Sequence, residues 1–172
     1  MSATSLADEK ASDQPQAEAV KEGMNNEKLQ EIIQRIDPEF TGRLGYWQIR
    51  VANIGIRIIT DQRADRMRII IPIRKAEEME PKELYRILQA NFDTALDARY
   101  AIGKGILWST FIHPLSSLSS DDFLSGLGQT INIVTTYGKT YSSGALTFGG
   151  GDSKDLIQKK LIEELKKKGQ VI

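Results

Sequence analysis

The sequence predicts an α+β fold: an antiparallel sheet with helices packed on it, in the order α-β-β-β-α-β-β-α, followed by a C-terminal helix. Three observations carry this prediction. Some segments repeat their apolar residues at helical spacing, others alternate apolar and polar residues with period two, and turn-forming residues separate them. A chain of 172 residues has room for one such core and hardly for two.

The first helix is predicted from Asn26 to Ile36, because Leu29, Ile32, Ile33 and Ile36 fall on one helical face. Asn25 or Asn26 caps it, and Asp37-Pro38 stops it. Three strands follow as a meander. Trp47, Ile49 and Val51 mark the apolar side of the first, Ile54, Ile56 and Ile58 that of the second, and Met67, Ile69, Ile71 and Ile73 that of the third. Ala52-Asn53 is read as a tight connection and 61–65 as a hairpin loop, while Pro72 argues for an edge position or a strand end. A second helix begins near Pro81, with Leu84, Ile87, Leu88, Asn91, Phe92, Ala95 and Leu96 as a stripe expected to lie across the sheet. Two more strands surround a turn at Gly103-Lys104-Gly105. Tyr100 and Ile102 share a side of the first, and Ile106, Trp108, Thr110 and Ile112 share a side of the second. Ser119 or Ser120 caps a third helix, whose stripe runs Phe123, Leu127, Ile131, Val134, Tyr137, Tyr141. The expected organisation is a disordered acidic tail over 1–24, the α+β domain over 25–141, a Gly-rich linker over 142–152 and a C-terminal amphipathic helix over 153–169. Leu156, Ile157, Leu161 and Leu165 form the apolar side of that last helix, and its lysines crowd the C-terminal end, where the helix dipole favours them.

Composition excludes several function classes. There is no cysteine and one histidine, His113, which removes disulfides, thiol chemistry and Cys- or multi-His metal sites. Lys plus Arg and Asp plus Glu both number 23, so the formal net charge is zero, with no global pull toward nucleic acid or an anionic membrane. No apolar run reaches the roughly 18 residues of a spanning helix, and the start of the chain lacks a secretory pattern. The reading is a cytoplasmic chain without cofactor, metal or catalytic site. His113 is followed by Ser116, Ser117, Ser119, Ser120, Asp121 and Asp122, but no nucleophile–base order stands out. Gly149-Gly150-Gly151 lacks the spacing of a phosphate loop.

The strongest local feature is basic. Between Thr41 and Lys75 eight basic residues face Asp61 and Asp65. Period two sets Arg50, Arg57, Arg66 and Arg68 opposite the apolar side, in company with Ile59 and Ile70. Arginine can simply cover the wet side of a one-sided sheet. Its planar fork also suits carboxylates, so the same surface fits an acidic protein segment or a phosphate backbone. Trp47 and Trp108 are read as core, with Phe111 on the other side.

The strand ending MRIIIPI at Met67–Ile73, the segment PKELYRILQANFDTALDARYAI at Pro81–Ile102, the two-strand unit through Phe111 and the helix from Asp121 together resemble the class I type III secretion chaperones. The resemblance is closer to their YbjN-like branch, and it covers about 27–141. It implies a non-enzymatic, homodimeric, chaperone-like or regulatory module that binds an extended protein client. The neutral charge departs from the acidic balance typical of secretion chaperones and favours the broader family. The alternative is a nucleic-acid-associated regulator that uses Arg50, Arg57, Arg66 and Arg68. On either reading the partner surface is the sheet face of those arginines with Ile59 and Ile70.

Overall fold

The computed structural model describes residues 23–141 and 163–169. The expected tail, apart from Gly23 and Met24, lies outside the described residues, as do the expected linker and the first part of the C-terminal helix, 153–162. The elements are α1 (Asn26–Ile36), β1 (Thr41–Arg43), β2 (Tyr46–Val51), β3 (Ile54–Asp61), β4 (Arg66–Lys75), a 3₁₀ turn (Ala76–Glu78), α2 (Pro81–Asp93), β5 (Arg99–Gly103), β6 (Ile106–His113) and α3 (Ser120–Thr136). The strands form one antiparallel six-stranded sheet in the order β1-β2-β3-β4-β6-β5. The predicted α+β class and element order hold, with the short β1 added at the edge.

Local chemistry explains most of the element ends. Asn25 caps α1 by accepting from the Lys28 N–H at 2.9 Å. Ala52 and Asn53 both take positive φ (49° and 63°), as a two-residue hairpin that follows the strand twist requires. Ser119 and Asp122 exchange side-chain-to-backbone bonds in a capping box at the start of α3. Pro72 sits where β4 has lost its β3 partner: the β3–β4 pairing ends at Arg57–Ile70, while β4 runs on beside β6 with a bulge between Pro72 and Arg74. Its missing N–H therefore breaks no ladder bond on the β3 side.

The core lies beneath one face of the sheet. Trp47, Ile49, Ile56, Ile58, Met67, Ile69, Ile71, Leu107 and Phe111 enter it from the strands. Leu29, Ile33, Phe123, Leu127 and Ile131 meet them from α1 and α3. Three sequence expectations are corrected here. In β6 it is Leu107, Ser109 and Phe111 that point into the core, so Trp108 faces outward. Both sides of β6 are apolar, and the inward Ser109 hides the parity; its buried hydroxyl is satisfied by the Thr130 carbonyl at 2.8 Å. The α3 helix ends at Thr136, leaving Tyr137 as its C-cap and Tyr141 beyond it at φ 55°. These two rings pack with Tyr100 at centroid distances of 5.7–6.2 Å, so the aromatic spacing reflects a cluster and not a continuing helix. The α2 helix ends at Asp93, before Ala95 and Leu96, and buries only Ile87 and Ala90.

Helical residues 163–169 pack on the same core. Leu165 is 2% exposed, a burial that contributes about 2 kcal/mol. The Lys166–Asp121 contact at 3.9 Å is largely solvated and adds little. Among the described residues no helix is long and apolar enough to cross a membrane.

The α3 and β6 backbones approach closely at Gly126, where a Cβ would stand 2.6–2.8 Å from three ring atoms of buried Phe111. Gly126→Ala is expected to destabilise the fold by about 1–3 kcal/mol through overpacking, read as a lowered urea midpoint. An unchanged midpoint would show that α3 does not rest on β6 this tightly.

Candidate protein-binding surfaces

Because the pleat sends alternate residues to opposite faces, each core contact of the sheet has an outward neighbour. The cross-strand register collects these into rows: Tyr46, Ile59, Arg68 and Ile112 in one, and Gln48, Arg57, Ile70, Thr110 and Arg99 in the next. Arg57 stands opposite Ile70, and Ile59 stands opposite Arg68. The result is a two-by-two checkerboard of arginine and isoleucine. Ile59, Ile70 and Arg57 are half-buried, while Arg68 is exposed.

The structure brings together four of the six predicted partner-binding residues: Arg57, Arg68, Ile59 and Ile70. Arg50 and Arg66 lie at opposite ends of the same face, opposite Gly55 and Asp61 respectively. Arg66 Nη1 donates to the Asp65 carbonyl at 2.9 Å. The Arg50 backbone N–H donates to Asp37 Oδ2 at 2.8 Å, just where β1 has ended and the edge of β2 is open. Among the described residues, no carboxylate forms an ion pair with Arg50, Arg57, Arg66, Arg68 or Arg99.

Sequence reasoning missed Trp108, Thr110, Ile112 and Arg99 on this face. The Arg57 guanidinium lies 5.8 Å from the Trp108 ring centroid, and the indole N–H donates to the Gly103 carbonyl at 2.9 Å. Ile112 is 53% exposed. The one available signal was the alternation within β6, which is apolar on both sides. A stacking platform for nucleic acid needs successive open rings. Trp47 and Phe111 are buried in the core, and the ring of Trp108 carries Arg57.

A second surface lies on α2. Asn91 bonds both backbone groups of Tyr100, donating to its carbonyl at 3.0 Å and accepting from its N–H at 2.8 Å. Gln129 accepts from the N–H groups of Asp97 and Ala98 at 2.9 and 3.1 Å. Asn91 thereby occupies the outer edge of β5 and seats α2 alongside it, instead of across the sheet as the sequence predicts, while Gln129 reaches from α3 to the residues just before β5. Arg74 reaches Glu83 at 3.5 Å, and Glu83 accepts a hydrogen bond from Tyr137. Burial first, and then that carboxylate, push the Tyr137 hydroxyl up to about 12, so it keeps its proton as a donor. Burial likewise raises Tyr100, whose hydroxyl donates to the Ile133 carbonyl at 3.1 Å. Seated edgeways, α2 leaves Tyr85 and Leu88 each 66% exposed and Phe92 91% exposed. Their spacing of three and four residues places them on one side of the helix, an apolar patch with no partner among the described residues.

Ser116, Ser119, Asp121 and Asp122, near His113, are committed elsewhere. His113 Nδ1 lies 2.8 Å from the Pro114 carbonyl, and its ring stacks on Phe111. Asp122 belongs to the α3 cap. Asp65 accepts from the Ser116 N–H at 2.7 Å and from its hydroxyl at 2.8 Å. Among the described residues no group of three or more His, Cys, Asp or Glu side chains could hold a metal.

The Ser116 backbone N–H, followed by its hydroxyl, holds the Asp65 carboxyl below its ordinary value of 3.8. A carboxyl depressed in the folded state stabilises the fold above its unfolded value, and that contribution is lost as pH falls through the folded one. Asp65 is therefore expected to titrate below 3.8 by carboxyl-detected NMR, and Asp65→Asn to remove that part of the acid dependence. A midpoint at or above the ordinary value would rule out the clamp.

Neither a protein-family model nor a curated protein sequence matches the chain. Solved structures do. A chain of the HopA1–SchA chaperone–effector complex aligns with a TM-score of 0.50 at 10% identity, over 65% of this chain and 94% of that one. The Yersinia pestis type III secretion chaperone SycH, solved with a stable fragment of YscM2, aligns with a TM-score of 0.48 at 16% identity, over 65% of this chain and 98% of that one. A chain of the ExsC–ExsE complex gives 0.46 at 11% identity, over 64% and 92%. The first of these likenesses establishes a shared α+β chaperone-like fold. It takes in nearly the whole of that neighbour and leaves part of this chain outside it.

Proposed function

We propose that this chain is a non-enzymatic, chaperone-like protein-binding module that works in the cytoplasm as a homodimer and holds an extended segment of a client protein. The observation that carries the reading is the uncovered checkerboard of Arg57, Ile59, Arg68 and Ile70, extended by Ile112 and Arg99. Its isoleucines offer apolar contact, and its arginines offer forked donors for carboxylates. The neutral charge of the chain suits the broader YbjN-like branch to which the proposal assigns it. A broad face that mixes apolar and cationic side chains in this way fits an extended peptide.

The same reading gives α2 the dimer contact. A surface-exposed Phe92 beside Leu88 and Tyr85 is stabilised by an isologous partner, because a two-fold axis sets the same apolar patch on both subunits. Light scattering on the eluting protein is expected to give twice the 19.2 kDa of one chain, and Leu88→Asp/Phe92→Asp to give a single chain with unchanged circular dichroism. A monomer at every concentration in the wild type would remove the dimer from the proposal.

Client capture tests the sheet. Mass spectrometry of proteins co-purifying with the wild type and with a folded Arg57→Glu/Arg68→Glu variant is expected to show at least tenfold loss of specific partners in the variant. Equal recovery from both would place client binding away from this face.

A further inference from the structure

We propose that residues 1–22 of the chain itself dock on the arginine–isoleucine face as an internal competitor of the client. The inference rests on the reading of that face as the client surface. Position is the first support. The described chain starts at Gly23, so close to Ser116 that a Cβ would stand 2.4 Å from the Ser116 carbonyl oxygen. Ser116 is tied to Asp65, and Arg66 follows directly at the end of the face. Arg68, paired with Ile112, lies two residues further on. Residues 1–22 span up to about 70 Å when extended, well beyond the roughly 25 Å width of a six-stranded sheet.

Charge is the second support. Residues 1–22 hold Asp8, Glu9, Asp13, Glu18 and Glu22 against Lys10 and Lys21. The acidic side chains between the sheet and α2 are already engaged: Glu77 with Lys75, Glu78 and Glu83 with Arg74, and Glu80 with Lys82. The helical residues 163–169 set Glu163 and Glu164 against Lys166, Lys167 and Lys168, a net positive charge and the wrong sign for this face. The acidic block 1–22 carries the charge that complements Arg57, Arg66, Arg68 and Arg99.

Pattern is the third. In an extended conformation Glu18, Val20 and Glu22 share one side, with Ala19 and Lys21 on the other. Carboxylate and aliphatic groups then alternate as arginine and isoleucine do across β3 and β4. Tethering makes even a weak contact of this kind effective, because a linked segment competes at a high local concentration.

The chain of 172 residues has no cysteine, so a spin label on Ala17→Cys is unique. At low salt the label is expected to broaden the amide signals of Arg57, Ile59, Arg68 and Ile70. Broadening should disappear near 1 M salt, where the Debye length is about 3 Å, and in the Asp8→Asn/Glu9→Gln/Asp13→Asn/Glu18→Gln variant of the same chain. It should persist when the labelled chain is diluted into excess unlabelled wild type, which keeps the contact within one chain. A synthetic peptide of residues 1–22 is expected to bind the neutralised variant at least tenfold tighter than the wild type. Unbroadened signals on this face, loss on dilution, or equal peptide affinities would each overturn the inference. If the label shows no contact while Arg57→Glu/Arg68→Glu still loses its partners, the internal competitor fails and the client surface stands.

Discussion

The pleat of the sheet ties the inner packing to the outer surface, and most of the molecule follows from that constraint. Each residue that enters the core from β2, β3, β4 or β6 forces its neighbour out. Trp47, Ile58, Ile69 and Phe111 lie below, so Gln48, Ile59, Ile70 and Ile112 lie above. A core on one side therefore creates an ordered, addressable surface on the other. Without helices on both faces, that surface has to be stabilised by its own side chains. Arg57 does this by covering the Trp108 ring, shielding apolar surface while keeping its charge in water.

The placement of α2 obeys a different constraint, the open edge of β5. An edge strand exposes unpaired backbone groups that invite another chain. Here Asn91 takes both groups of Tyr100, and Gln129 takes the N–H groups just before the strand. Sealing the edge this way fixes α2 beside the sheet, and the clamp of Arg74, Glu83 and Tyr137 holds its first turn. The cost is a helix with only one packed side. The exposed Tyr85, Leu88 and Phe92 are thus a by-product of edge protection.

Both surfaces therefore arise from the scaffold and need no dedicated pocket. This fits the shared architecture with the HopA1–SchA complex, where the likeness is one of fold at low identity.

Sequence alone was sufficient for the class and the order of the long elements, and it narrowed the cap of α3 to Ser119 or Ser120, because these depend on local periodicity and on side chains within a few residues of each other. It also placed Arg57, Arg68, Ile59 and Ile70 on one face, since parity within β3 and β4 is unambiguous when one side is uniformly apolar. It assigned β6 to the wrong parity because Ser109 is buried through a bond to Thr130, 21 positions away. It carried α3 through to Tyr141 because a tyrosine cluster built from β5 and the chain after α3 happens to mimic helical spacing. It laid α2 across the sheet because amphipathic spacing reveals how many residues are apolar, but not which of them find a partner. That choice was made by Asn91 and its long-range bond to an edge strand, and only the tertiary structure could supply it.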